Sequence, residues 1–308
     1  MARRSRPSCS RSTWFSPWRM CGGHENGDTR RGPKRSPLQW QCLIARGGVS
    51  VALLAVILVF GGPFLWLITA AINRVATDVP WPSEPTLAHF RGLFEERNAG
   101  RGLKNSLIVA TCAMSVTTLV SSLAGYGLSR GPLRRRTAIG YGVLLLQTFP
   151  LSVTMVPIYD LAIRLGLQGT YLGLIVSHAA ISLPLSTWLM KTSCDGVPRD
   201  YDEAAWLDGA SVFRVWRDII VPMTASGLAV TAGFAFATAW AEVLMAVVLL
   251  SIGDYAKETL PFQFYYQVGD EAGVVAALAV LYILPVVGVF LLLRRLIIRG
   301  VVEGTQGD

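Results

Sequence analysis

The chain has 308 residues, of which 52% are apolar and only 16% charged, with mean hydropathy +0.45 and a net charge of +8. A soluble domain carries about 25% charged residues, so the composition excludes an ordinary soluble globule and indicates a chain that sits mostly in lipid. The positive charge does not indicate nucleic acid, because it is concentrated in the polar segments between and beyond the apolar runs.

Residues 1–47 are rich in Arg, Ser, Gly and Pro and lack apolar periodicity, so they read as a basic, disordered tail near anionic headgroups. A start-site extension, with Met20 as the true start, is the second reading. A membrane helix needs roughly 20 apolar residues, and six segments qualify: about 49–72, 103–128, 138–157, 170–190, 223–250 and 272–293. The first is too long for a signal-peptide core of 7–15 residues, and its Gly61-Gly62-Pro63 run predicts a kink. Residues 73–102 form the largest external segment, with Trp81 and Phe90 suited to the interface. A short basic turn at 128–136 follows the second span. The third span carries Gln147, Thr148, Pro150 and Pro157, and the fourth carries His178 and Pro184. Such breakers are tolerated where neighbouring helices satisfy the freed backbone groups.

These spans predict an all-α, polytopic membrane protein with one domain at 48–300, a polar loop at 191–222 and a short tail at 301–308. Ten Lys/Arg fall in 1–47, four in 129–137, four in 191–222 and three after 293, against seven elsewhere. The positive-inside rule then puts both termini and the 191–222 loop in the cytoplasm. Cys9, Cys21 and His24 lack metal-ligand spacing, and no cysteine lies in an external loop, so neither a metal site nor a disulfide framework is expected.

The 191–222 loop carries the sharpest pattern. Pro198 suits a helix start, and Asp200, Asp202 and Glu203 put negative charge at its first turn. Ala204 and Ala205 give a low-relief surface, Gly209 can end the helix in a left-handed conformation, and Ser211 can cap a second one. Val212, Phe213, Trp216, Ile219 and Ile220 fall on one face of that second helix, predicted to pack on the protein's own spans. Pro222 marks the start of the next span. The plainer reading is a solvated amphipathic loop without a partner.

Residues 203–222, EAAWLDGASVFRVWRDIIVP, resemble the EAA-x3-G-x9-I-x-L-P loop of permease subunits of binding-protein-dependent ABC importers, with Val221 in place of the usual Leu. The likeness extends over about 49–304 and is nearest to the carbohydrate branch, the maltose-permease G-type subunits. PFLWLITAAI (63–72), Thr86-Leu87 before Phe90, Asn105-Ser106-Leu107, AGYGLSR (124–130), Pro157-Ile158-Tyr159, Leu165-Gly166-Leu167 with Thr170, Thr259-Leu260-Pro261 and RRLIIRG (294–300) are similar in order and spacing. Two departures are WAEVL at 240–244, where the branch has Trp-Asn-x-Phe-Leu, and the EGTQGD ending.

The resemblance implies the type I importer permease fold and a subunit that couples ATP hydrolysis elsewhere to alternating access for a carbohydrate. It implies that Glu203, Ala204, Ala205, Asp208, Gly209, Ile219 and Pro222 dock an ATPase. It also implies a bacterial inner-membrane location, a second permease as heterodimer partner, two ATPase copies and an extracytoplasmic solute-binding protein. ATP and Mg belong on the partner ATPase and no cofactor on this chain. A P-loop needs G-x4-G-K-[ST], and none of Lys34, Lys104, Lys191 and Lys257 follows a glycine, so the chain is not expected to be an enzyme.

Gln147, Thr148, Trp240 and Glu242 are candidates for a transport path. Glu242 lies 19 residues past Met223, about 28 Å at 1.5 Å per residue, so an interfacial carboxylate that reaches water is the preferred reading. Gln147, Thr148 and His178 read equally as partners in interhelical hydrogen bonds, the preferred reading for His178. The alternatives are a permease for an amino acid, polyamine or phosphate, and an ATP-independent secondary transporter. The latter predicts intramembrane charge pairs or inverted repeats, and neither is visible. A membrane enzyme predicts clustered acid-base groups, but the three histidines, His24, His89 and His178, fall on separate segments.

Overall fold

The computed structural model describes residues 37–74, 84–132, 134–250, 257–267 and 271–304. Helices dominate, and among the described residues the sole β-type pairing is an isolated bridge between Asn73 and Pro85. The chain divides into two compact units at Leu65/Trp66.

The first unit contributes the start of α1 (Pro37–Ile72), which begins inside the stretch that the sequence assigns to the tail. Residues 1–36, with Cys9, Cys21 and His24, lie outside the described residues, as do Trp81 and residues 305–308. From Val49 to Phe64 the large apolar side chains of α1 are exposed, Phe60 at 70% and Val59 at 68%. A face of this kind belongs in lipid or against another subunit. Pro63 sits inside α1, and the Gly61-Gly62-Pro63 run does not end it.

The second unit contains α2 (Ala88–Glu95), α3 (Ala99–Arg130), α4 (Arg136–Leu145), α5 (Leu151–Arg164), α6 (Tyr171–Asp195), α7 (Asp200–Leu207), α8 (Val212–Val215), α9 (Val221–Met223), α10 (Ala225–Ala241), α11 (Leu244–Leu250), α12 (Leu260–Gln267) and α13 (Ala272–Gly304). Among the described residues four helices are long and apolar enough to cross a membrane: 49–72, 99–130, 171–195 and 272–297. If each of two bent helix pairs is one span, the number reaches the six expected. Residues 136–148 and 151–164 meet at 96°, and residues 212–223 and 225–241 at 84°.

The first bend corrects a straight span of the sequence reading, 138–157, and the second falls where that reading ends the 191–222 loop and starts the next span. At the first, Pro150 has no N–H to donate and forces Phe149 to an extended ψ of 128°. At the second, Thr224 leaves the helical region and its hydroxyl donates to the Ile220 carbonyl at 2.7 Å. The expected span 223–250 is also broken at Glu242, whose ψ of 116° separates α10 from α11.

Small residues bring the spans together. A Cβ on Gly125 of α3 would stand 2.7 Å from the Lys191 nitrogen of α6, so only glycine lets these two backbones approach so closely. Trp240 and Phe236 of α10 stack at 5.6 Å in a core with Leu278 and Leu281 of α13 and Ala110 and Ala113 of α3. Distant sequence pieces are joined by hydrogen bonds. Asn105 donates to the Glu258 carbonyl at 2.8 Å, and the Leu260 amide donates to the Ser106 hydroxyl at 2.8 Å. Thr170 caps α6 by accepting from the Gly173 amide at 3.1 Å.

Candidate functional site

The 191–222 loop folds as two short helices joined by a tight turn. The amides of Asp202 and Glu203 donate to the Arg199 carbonyl at 2.9 and 3.0 Å, which starts α7 two residues after Pro198. Gly209 ends it at φ 79°, the left-handed region that glycine occupies without penalty. The Ala210 amide returns to the Ala205 carbonyl at 2.9 Å. Ser211 caps α8 by accepting from the Arg214 amide at 3.4 Å. A widened π turn over Trp216–Ile220 then leads into α9. Pro222 cannot donate to the carbonyl four residues back, and the wider turn accommodates that missing bond.

Underneath, the loop is pinned to the ends of two spans. Asp202, with its side chain 1% exposed, receives the Arg130 Nε hydrogen at 2.8 Å and the Tyr126 hydroxyl at 3.2 Å. Arg130 also donates to the Val197 carbonyl at 2.5 Å. Its neighbour Ser129 donates to Asp195 at 2.6 Å, and Lys191 holds the other oxygen of that carboxylate at 2.6 Å. Arg136 and Arg199 both donate to the Ser129 carbonyl, at 2.8 and 3.3 Å. Tyr126, Cys194, Val197, Val215, Trp216 and Ile220 form the apolar floor of the loop. The end of α3, the end of α6 and α7 are thereby one polar-and-apolar joint.

The upper surface is open. Glu203, Ala204, Asp208, Gly209 and Pro222 are exposed, and Ala205 and Ile219 are half-buried. Around them project Leu207 at 89%, Val212 at 62%, Phe213 at 58%, Tyr201 at 51% and Trp206 at 41%. This corrects the expected division of labour. Val212 and Phe213 face outward, while Val215, Trp216 and Ile220 face the protein, so the second helix shares its apolar residues between both sides. The surface is therefore a knob with an apolar rim.

Asp202, Arg130 and Tyr126 were missed as site residues by sequence reasoning, which gave Asp202 only a helix-dipole role. A signal existed: Tyr126 and Arg130 stand four apart, hence on one helix face, and an acid directly precedes Glu203.

The four path candidates fall at two separate places, Gln147 with Thr148 and Trp240 with Glu242. Gln147 and Thr148 lie in the 3-10 turn between α4 and α5, exposed, beside a cavity of about 490 Å³ that Thr154 and Pro184 also line. Trp240 is 1% exposed and structural. Its indole N–H donates to the Tyr282 carbonyl at 2.9 Å, and the Tyr282 hydroxyl donates back to the Trp240 carbonyl at 2.7 Å, which ties α10 to α13. Glu242 is half-buried and caps α11, accepting from the amides of Leu244 and Met245 at 3.0 and 2.6 Å. A cavity of about 10 Å³ beside it, also lined by Trp240, His178, Ser106 and Thr259, has room for one water. Among the described residues no group of three His, Cys, Asp or Glu could hold a metal.

The family model for "binding-protein-dependent transport system inner membrane component" matches residues 99–301. The trehalose/maltose transport system permease protein MalG of Thermococcus litoralis is 32% identical over 275 residues, covering 83% of this chain and 94% of that protein. The sulfoquinovosyl glycerol transport system permease protein SmoH of Agrobacterium fabrum is 29% identical over 250 residues, covering 79% and 87%. A chain of a bacterial ABC transporter involved in import of the acidic polysaccharide alginate has the same fold, with TM-score 0.68 at 18% identity, covering 86% of this chain and 99% of that one.

Proposed function

The chain belongs to the binding-protein-dependent transport system inner membrane components, and from that premise we propose that it is the carbohydrate-translocating subunit of an ATP-driven importer. The similarity to permeases for trehalose, maltose and sulfoquinovosyl glycerol supports the substrate class. The knob formed by Glu203, Ala204, Ala205, Asp208 and Gly209, with Leu207 at its tip, is the surface that docks a separate ATPase. The observation that carries this is the pairing of an exposed upper face with a buried ionic root at Asp202.

Force on α7 passes through Asp202 to Arg130 and Tyr126, hence to the end of α3, and through the Arg130–Val197 bond and the shared apolar floor to the end of α6. A push on the knob thereby tilts these helices as a unit. ATP and Mg bind on the partner, which hydrolyses the ATP. The working assembly contains a second permease, two ATPases and an extracytoplasmic solute-binding protein, and the positive-inside distribution of Lys/Arg supports a cytoplasmic location for the knob and both termini. Site-directed cross-linking tests the dock. Cysteine at Leu207, on the tip, should cross-link to the ATPase in the assembled complex, and cysteine at Leu119, an outward residue of α3 that is 54% exposed, should not. Equal labelling at both positions would reject the assignment.

A further inference from the structure

A groove runs between the half of α3 that ends at the knob, α4 and the middle of α6. Val120, Ala124 and Gly127 of α3, Ile139 and Val143 of α4 and Leu183 of α6 line it, and its volume is about 760 Å³. Ligand pockets occupy about 300–1,000 Å³. Thr187 apart, the wall is apolar, so it offers no partner to a sugar or a metal ion and suits a hydrocarbon chain.

Length and charge say which molecule fills it. From Val120 to Gly131 the groove follows α3 for eleven residues, about 17 Å at 1.5 Å per residue. One leaflet of a bilayer core is about 15 Å deep, so the groove matches a single leaflet, whereas a helix of another subunit crosses both. At the knob end the groove closes at Gly131 and Pro132. Arg134 and Arg135 follow, both exposed, and neither side chain has an ion pair or hydrogen bond among the described residues. The acids packed against this end of the bundle are taken: Asp202 by Arg130 at 2.8 Å and Asp195 by Lys191 at 2.6 Å. Two free guanidinium groups above an apolar groove complement a phosphate above an acyl chain. Gly127 is a separate sign. Glycine weakens a helix relative to alanine. At Gly125 the approach of α6 explains it, but a Cβ on Gly127 would meet nothing within 4 Å. No contact within this chain accounts for Gly127, and a molecule lying in the groove does.

We propose that this groove binds one anionic phospholipid of the leaflet on the knob side. Its acyl chain lies against residues 120–127 and 139–143, and its phosphate sits on Arg134 and Arg135. The site is separate from the ATPase dock and stands whether or not the solute is a carbohydrate.

The test uses the complete transporter in phosphatidylcholine nanodiscs that contain a trace of phosphatidylglycerol with a diazirine in its acyl chain. Irradiation, digestion and mass spectrometry read where the lipid reacts. Residues 284–292 of α13, with Leu284 59%, Phe290 61% and Leu292 78% exposed, give the reference for ordinary lipid contact. The site predicts labelling of 120–131 and 139–143 about tenfold above that reference, the effect of two arginines at a headgroup. Excess unlabelled phosphatidylglycerol should abolish the difference, and excess phosphatidylcholine should not. Arg134→Gln with Arg135→Gln removes the charge from an exposed turn, and Gly127→Leu fills the groove where a Cβ is free. Both should bring labelling down to the reference; thermal unfolding and recovery of the whole complex check assembly. Labelling at the reference level in wild type, equal competition by the two lipids, or wild-type labelling in either variant overturns the site. Cross-linking of Ile139→Cys to the second permease also overturns it, because the face is then covered by protein.

Discussion

Asp202→Ala should loosen the knob without unfolding the bundle. The substitution leaves the Arg130 guanidinium, 5% exposed, without its carboxylate, and removes the acceptor of the Tyr126 hydroxyl. Removing one partner of a buried ion pair costs about 3–5 kcal/mol, because the remaining charge stays desolvated. Every 1.4 kcal/mol is tenfold, so opening of α7 should become on the order of 10²–10⁴ times more frequent. Hydrogen exchange of the amides of residues 200–215 reads this directly, while amides in the middle of α3 and α6 should keep their protection. Replacing both charges, as Arg130→Met with Asp202→Leu, should restore much of the loss, since a well-packed apolar pair is often as stable as the ion pair it replaces. Exchange within threefold of wild type in Asp202→Ala, or a double variant as open as the single one, would refute the claim that a buried ionic root holds the loop.

Gly209→Val should cost about 1–3 kcal/mol of local stability from backbone strain alone, because φ is 79° and a Cβ there meets nothing within 4 Å; Gly209→Asn, which tolerates that region, should retain most ATPase association in a co-purification assay. Gly125→Leu should lower thermal stability by more than Gly127→Leu, since a Cβ at 125 collides with the α6 backbone at Met190 and Lys191 and one at 127 meets open space; unfolding curves in detergent compare the two. Glu242→Ala should remove the cap of α11 and cost about 0.5–2 kcal/mol, read as faster exchange at the Leu244 and Met245 amides, whose hydrogens the carboxylate now holds.

The spans and the helix-turn-helix of the 191–222 loop were legible because each has a local cause. Apolar length marks a membrane helix, and Gly209 and Ser211 do in the structure what their chemistry predicts. The bends were less legible. Pro150 was visible as a breaker, but a 96° turn depends on the neighbours that accept the freed groups, and nothing local marks the break at Glu242 as a cap. The root of the knob was hidden for a different reason. Asp202 and Arg130 are 72 residues apart, and a pair at that separation is joined only when α3 and α6 pack. The same packing explains why Val212 and Phe213 turn outward: the floor is already filled by Tyr126, Cys194 and Val197 from other segments. The candidate path residues were chosen by residue type and position along a span, which do not show what each side chain is engaged with. Trp240 in fact spends its indole N–H on Tyr282.

The central claim is that the exposed tip of α7 is where an ATPase engages this permease. The most direct test is co-purification of the ATPase with the tagged full-length chain, wild type against Leu207→Asp. Leu207 is 89% exposed, so a charge there leaves the fold intact and damages only a surface that a partner covers. The account predicts that wild type brings down the ATPase and a second permease, while Leu207→Asp keeps the permease partner and loses the ATPase. Equal recovery of the ATPase with both proteins would contradict it.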